Sequence, residues 1–198
     1  MAPILPFYIR EDDPPAKREI LRAALKLFSE RGLVGTSIRD IAAESGYTNP
    51  ALYKHFASKE ALALHLFDTC HARVWNACSA ALASATTFEG KLRAYVGQWL
   101  ELADEHPDVM AFLSDSARAL WPKASARVRR HTMIYLARSL VRAAPSLSRP
   151  AAGRVDVAAA CLEGTLAELV RMIQVRVVTG PAVRWTTSLV ELFKNVMK

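Results

Sequence analysis

Apolar residues recur at intervals of three and four along nearly the whole chain, and no run alternates convincingly with period two, which predicts an all-α protein. Ile20, Leu21, Ala24, Leu25 and Phe28 form one stripe of a helix over about residues 16–31, which stops near Gly32, a residue suited to the left-handed terminating conformation. A short second helix follows, with Thr36 or Ser37 as its cap, Ile38, Ile41 and Ala42 as its buried stripe, and Gly46 ending it. A third begins almost at once: Thr48 or Asn49 caps it, Pro50 suits a first turn where a missing N–H costs nothing, and Leu52 with Phe56 makes an i, i+4 pair. Ser58 caps a fourth helix starting at Lys59. Upstream, Glu11-Asp12-Asp13 and Pro14-Pro15 mark residues 1–14 as an arm outside the first helix, expected to be mobile. Just Ser45 to Thr48 separate the second and third helices, and a tight helix-turn-helix with glycine in the turn is the arrangement that seats its second helix in the DNA major groove.

Two long helices are predicted to close the chain. Pro145 and Pro150 precede one over about residues 153–179, and Gly180-Pro181 separates it from another reaching toward Lys198. The first carries Ala158, Leu162, Leu166, Leu169, Val170 and Ile173 on one side and small Ala160, Gly164 and Ala167 on another; the second offers Leu189, Val190, Leu192, Phe193 and Val196. More apolar faces than one protomer buries point to self-association, with Ala160, Gly164, Ala167, Leu189 and Phe193 as candidate interface residues and burial inside the protomer as the alternative. Trp75, Trp99, Met110, Phe112, Trp121, Met133 and Cys161 suit an adaptable apolar cavity, or plain core packing. Glu101, His106, Arg118 and Thr165 are polar groups in the same region that would orient a ligand.

Composition narrows the function more than the fold. With 198 residues, 52% of them hydrophobic, the chain can bury a real core, and 26 Lys+Arg against 19 Asp+Glu give a net charge of +7, which admits nucleic acid, an anionic surface or an acidic ligand. Residues 1–65 hold nine basic and eight acidic residues, so the excess lies elsewhere: from Ser116 to Val155 there are nine basic residues, Arg118 through Arg154, and no acid. An amphipathic helix with a solvated basic face accounts for that stretch; a groove for an acidic ligand, nucleic acid or anionic membrane is the other account. Cys70, Cys78 and Cys161 show no zinc spacing and cannot all pair, fitting a reduced setting. The absence of an 18-residue apolar run and of a signal-like opening leads to the expectation of a soluble, cytoplasmic protein. No GxGxxG or GxxxxGK[ST] occurs, so no cofactor is expected. His65, Cys70, His71 and Cys78 share one helix without a base or third ligand in register, and the acids Glu101, Asp104, Glu105 and Asp108 read as a solvated turn, so no catalytic constellation is found.

The stretch TSIRDIAAESGYTNPALYKHFASKEAL, Thr36 to Leu62, resembles the TetR-family helix-turn-helix, with Gly-x-[ST]-x-x-x-[IL]-Tyr-x-His-Phe-x-[ST]-Lys-x-x-Leu from Gly46 onward. The resemblance implies a dimeric transcription factor, usually a repressor released from operator DNA by a small molecule, with a DNA-binding domain at residues 15–62, a ligand-binding and dimerisation domain at 63–198, and a four-helix dimer interface on the last two helices. From the residues themselves, Tyr53 and His55 are expected to reach phosphate oxygens, with Lys59 adding charge at a helix N-terminus. Asn49 would offer its amide to adenine, Ala51 a methyl contact to thymine, and Lys54 a donor to guanine; Thr36, Arg39 and Thr48 complete the expected contact set. A ligand-independent architectural or membrane-associated regulator on the same fold is the alternative, and the basic stretch is what favours it.

Overall fold

The computed structural model describes residues 6–145 and 152–196; Arg149, Pro150 and the terminal Lys198 lie outside that range. Ten α-helices follow one another among the described residues, without a strand: α1 (Pro15–Arg31), α2 (Ile38–Ser45), α3 (Asn49–His55), α4 (Lys59–Ala83), α5 (Phe88–Glu105), α6 (Pro107–Leu120), α7 (Ala126–Arg130), α8 (Met133–Arg142), α9 (Ala152–Gln174) and α10 (Thr186–Val196). None of them is long and apolar enough to cross a membrane. By compactness the chain divides into one unit of residues 1–73 and 108–129 and another of residues 74–107 and 130–198. The expected boundary after residue 62 therefore falls inside the first unit and inside α4.

In the first unit, Ile20, Leu21, Ala24, Leu25 and Phe28 of α1 are buried together with Ile41, Leu52, Phe56, Leu62 and Leu66, as the helical spacing dictated. Helix α6 completes this core: Phe112 is fully buried, stacks on Phe28 at 5.7 Å and meets Phe67 edge-on at 6.4 Å. The described part of the arm is not loose. Arg73 donates to the Pro6 and Ile9 carbonyls, Arg10 donates to Thr69 Oγ1 at 3.1 Å, and Asp13, buried, pairs with Lys17 at 2.6 Å. An acidic run is normally solvated; Asp13 folds inward because Lys17 one turn into α1 and the Arg10 N–H meet both its oxygens.

In the second unit, Val155, Ala159, Leu162, Leu166 and Val170 form the buried face of α9, packed with α8 and α5, while α10 packs on α5. Helix α9 stops at Gln174 rather than continuing to 179. The following Val175, Val177 and Val178 are poor helix formers, Arg176 turns into the left-handed region at φ 61°, and the Val177 and Val178 N–H groups bond back to Met172 O. Asp104, expected in a solvated turn, instead accepts from the Ala182 and Val183 N–H groups at 2.6 and 3.0 Å and fixes the 3₁₀ turn, Ala182–Trp185, that leads into α10. The basic stretch is no single helix: its described residues run through the end of α6, a 3₁₀ turn at Trp121–Lys123, α7, α8 and the start of α9, which carries Arg154.

The same unit buries a carboxyl group. Tyr95 of α5 donates its hydroxyl hydrogen to Glu163 Oε1 on α9; burial pushes the Glu163 carboxyl up to about 7 from 4.5, against the opposing pull of the Tyr95 hydrogen bond. An acid with a higher pKa folded than unfolded holds more protons in the native state, so its contribution is intact below pH 4.5 and is lost as pH rises through about 7. Stability should fall by about 2–3 kcal/mol between pH 4.5 and 8 from this group, and Glu163→Gln should flatten that slope in urea titrations; an unchanged slope would remove Glu163 as its cause.

Candidate nucleic-acid interface

The helix-turn-helix is built by local signals. Ser37 is the N-cap of α2, its hydroxyl accepting from Asp40 N at 3.2 Å while the Asp40 carboxylate accepts from Ser37 N at 2.8 Å. Gly46 ends α2 at φ 75°, a left-handed conformation that glycine adopts without steric cost, and the Tyr47 N–H returns to Ala42 O. Thr48 then occupies the N-cap position of α3 without a side-chain capping bond, and Pro50 sits in the first turn. Leu52 and Phe56 turn inward against the first unit's core, Phe56 meeting His65 at 5.4 Å.

That burial leaves one face of α3 outward. Thr48 and Lys54 are exposed, Asn49, Ala51 and His55 are half-buried, and Tyr53 keeps 54% of its surface despite being aromatic. Arg39 is exposed on α2. A seven-residue helix presenting an amide, a phenol, an ammonium and an imidazole, with a hydroxyl and a guanidinium alongside, offers donors for phosphate oxygens and base edges and carries no carboxylate to repel them.

Two residues of the expected contact set are committed elsewhere. Thr36 is 1% exposed, and its hydroxyl lies 2.9 Å from Gly32 O and 3.2 Å from Leu27 O, bonding inward where α1 ends. Lys59 donates from Nζ to Leu33 O at 2.6 Å and Thr36 O at 2.7 Å, so it ties the α1–α2 connection to the start of α4 rather than reaching for a phosphate. The capping residue of α4 is Ser58, whose hydroxyl accepts from Ala61 N.

Met110, Phe112 and Trp121 belong to the first unit, where Phe112 is core and Trp121 packs edge-on to Phe67. Trp75, Trp99, Met133, Cys161 and Thr165 belong to the second, where Cys161 and Thr165 line one space and Trp75 another. That unit holds an open apolar groove of about 600 Å³ between α9 and α10, lined by Cys161, Gly164, Thr165, Leu169, Met172, Trp185, Leu189 and Leu192 among others. It also holds a half-open cavity of about 390 Å³ with Trp75 in its wall, between α4, α5 and α8. Trp99 and Met133 line neither. Of the candidate interface residues, Ala160, Gly164 and Ala167 are exposed, whereas Leu189 and Phe193 are buried within the protomer; the α10 positions left outside are Leu192 and Val196. The sequence showed the apolar surplus but could not tell which of two adjacent stripes on α10 turns inward.

Three members of the cysteine and histidine set on α4 are held in their neutral forms. Burial pushes the Cys70 thiol up to about 12 and raises Cys78, and burial, reinforced by Lys17 and Arg10, lowers His65 to about 4, so the thiols stay protonated and His65 stays neutral near pH 7.

Residues 20–66 match the model of the bacterial regulatory proteins, tetR family. The HTH-type transcriptional repressor KstR2 of Rhodococcus jostii is 31% identical over 104 residues, 52% of this chain and 51% of that protein, so the chain spans about half the length of this curated relative in the match. Among solved structures, the ketosteroid transcriptional regulator KstR2 of Mycobacterium tuberculosis superposes with a TM-score of 0.76 at 21% identity, over 90% of this chain and 92% of that one. The regulator FadR of Bacillus subtilis, solved in complex with stearoyl-CoA, superposes with a TM-score of 0.68 at 16% identity, over 88% of this chain and 96% of that one. Both superpositions extend the likeness in fold far beyond the helix-turn-helix.

Proposed function

The chain belongs to the TetR family of bacterial regulatory proteins, and from that premise we propose that it is a DNA-binding transcriptional regulator, a dimeric repressor released from its operator by a small effector bound in the second unit. The observation that carries the reading is the outward face of α3, where Thr48, Asn49, Tyr53, Lys54 and His55 stand clear of the core that Leu52 and Phe56 complete. The repressor character is drawn from KstR2, and the effector from the FadR complex with stearoyl-CoA, together with the cavity in the second unit. Helix α4 supplies residues to both units and is the element through which an effector would act on DNA affinity. It can do so only as far as the ligand binds the DNA-incompetent state more tightly; a coupling of about 1–3 kcal/mol loosens an operator by about 5- to 150-fold.

A dimer built on α9 and α10 uses the open apolar groove, which a second copy would cover. Two-fold symmetry then requires an operator of inverted half-sites with centres about one helical turn apart, or a multiple. Selection from random duplexes followed by footprinting tests this; a selected site without two-fold symmetry contradicts it. Within the selected site, Lys54→Ala should cost about 1–3 kcal/mol at one base position and relax the preference there, while Tyr53→Phe should weaken selected and random duplexes alike. Equal affinity of both variants and the parent protein for the operator would show that α3 is not the reading helix.

A further inference from the structure

The fold divides the acid-free basic stretch. Arg118, Lys123, Arg127 and Arg129, all exposed, fall in the first unit with the helix-turn-helix, whereas Arg130, Arg138, Arg142 and Arg154 fall in the second. Leu120, Ala124 and Val128 anchor the first group in the first unit's core, and the Ser125 N–H donates to the Asp68 carboxylate of α4 at 3.2 Å. Between these anchors Lys123 pairs with Glu60, the second residue of α4. The start of α4 is itself tied to the helix-turn-helix on two sides. Lys59 holds the Leu33 and Thr36 carbonyls of the α1–α2 connection, and Phe56, the residue after α3, meets the His65 ring.

In a helix-turn-helix complex the helix before the reading helix crosses the phosphate backbone. The connection into α2, and the α4 turn tied to it, then lie at the rim of the DNA footprint, where a bare carboxylate would repel phosphate. Each carboxylate between Thr36 and Leu62 is partnered: Asp40 by the Ser37 cap, Glu44 by Lys26 at 2.9 Å, and Glu60 by Lys123. The first two partners belong to α1 and the cap of α2, but Lys123 arrives from 63 positions along the chain. An exposed ion pair adds little to stability, so the fold does not require this one. An ammonium carries three donors, and Glu60 occupies one of them, which leaves Lys123 able to meet a phosphate oxygen as well. We propose that Lys123 is a phosphate contact supplied to the DNA interface from outside the helix-turn-helix, strengthening binding to any duplex without reading its sequence. This rests on the reading of α3 as the DNA-reading helix and extends that interface to the segment after α6. The sequence displayed the basic run but not that Lys123 folds against the start of α4.

The test is the salt dependence with which the full-length protein binds a selected operator and a random duplex. Lys123→Met should weaken both alike, by about 8-fold at 0.1 M salt, and lower the slope of log K against log salt by about 0.9, the loss of one phosphate contact. Arg138→Met is the control. Arg138 belongs to the second unit and pairs with Asp156, so its replacement removes the same net charge and should leave the slope at the parent value. Glu60→Gln, which removes the competing anion, should tighten both duplexes a few fold. Circular dichroism melts verify that each variant is folded; all three positions are at the surface. A parent slope in Lys123→Met, a loss confined to the operator, or an equal loss of slope in Arg138→Met would overturn the proposal. If Lys123→Met keeps the parent slope but no longer binds phosphatidylglycerol vesicles, the segment faces a membrane and the proposal falls. Operator binding that depends on Lys54 but not on Lys123 would remove the added contact alone, whereas a parent protein that selects no duplex at all would take the DNA-binding reading with it.

Discussion

Gly164→Arg should convert the protein into a folded monomer that has lost about 10²- to 10⁴-fold of its affinity for the full operator, with affinity for an isolated half-site nearly unchanged. The position separates assembly from folding. Gly164 is exposed on α9, a Cβ added there meets nothing within 4 Å, and its φ is unstrained for an L-residue, so the protomer accommodates a side chain. Arginine is also a better helix former than glycine by several tenths of a kcal/mol, which favours the helix locally. The cost falls on the proposed partner: the groove it borders is apolar, and a guanidinium there would be desolvated without a counter-charge. The affinity loss follows from losing the second, linked half-site, an advantage of about that size. Phe193→Glu makes an informative contrast. Phe193 is buried inside the protomer at 2% exposure, so a carboxylate there should unfold the second unit rather than split a dimer. Sedimentation with circular dichroism distinguishes the two outcomes. A Gly164→Arg protein that remains dimeric places the interface elsewhere.

The contrast between Gly164 and Phe193 marks where the sequence was legible. The starts of α1 to α4 and the ends of α1 and α2 were readable to within a residue or two because local residues act there: Ser37 with Asp40, Gly32 and Gly46 at positive φ, Pro50 in the first turn, Ser58 on Ala61 N. The outward face of α3 was equally readable, since Leu52 and Phe56 fix the inward one and leave Tyr53 and Lys54 no other side. Asp13 was misread although its partners are local: it looks like part of a solvated acidic run until Lys17 and the Arg10 N–H, four and three positions away, are in place around it. Other misreadings depend on long-range partners. Phe112 looks like a cavity residue until α6 is found against α1, where it stacks on Phe28. The length of α9 was misread too, because the β-branched valines after Gln174 are a weak local stop signal, and nothing local announced that Asp104, 78 residues before Ala182 in the chain, would start the approach to α10.

Lys59 is the sharpest case, and its replacement should have the larger effect on stability. In sequence it is a cation at a helix N-terminus next to the reading helix, the usual description of a phosphate contact. In the structure its ammonium is half-buried and donates to two main-chain carbonyls, Leu33 O at 2.6 Å and Thr36 O at 2.7 Å, residues 26 and 23 positions away. Those carbonyls belong to the connection between α1 and α2, which also takes the inward-turned Thr36 hydroxyl. Lys59→Met keeps most of the stem and removes both charge-assisted bonds, leaving two acceptors short of a partner. Each such bond contributes about 1.5–3 kcal/mol, so a loss of about 2–4 kcal/mol is expected after solvent partly replaces them. The salt dependence of DNA binding decides between the two roles. A lost phosphate contact lowers the slope of log K against log salt by about 0.9, whereas a lost internal tether leaves the slope alone and weakens binding only as the first unit melts. Measured well below its lowered melting temperature, the Lys59→Met protein should show the parent slope. A slope reduced by about one at unchanged stability would return Lys59 to the DNA.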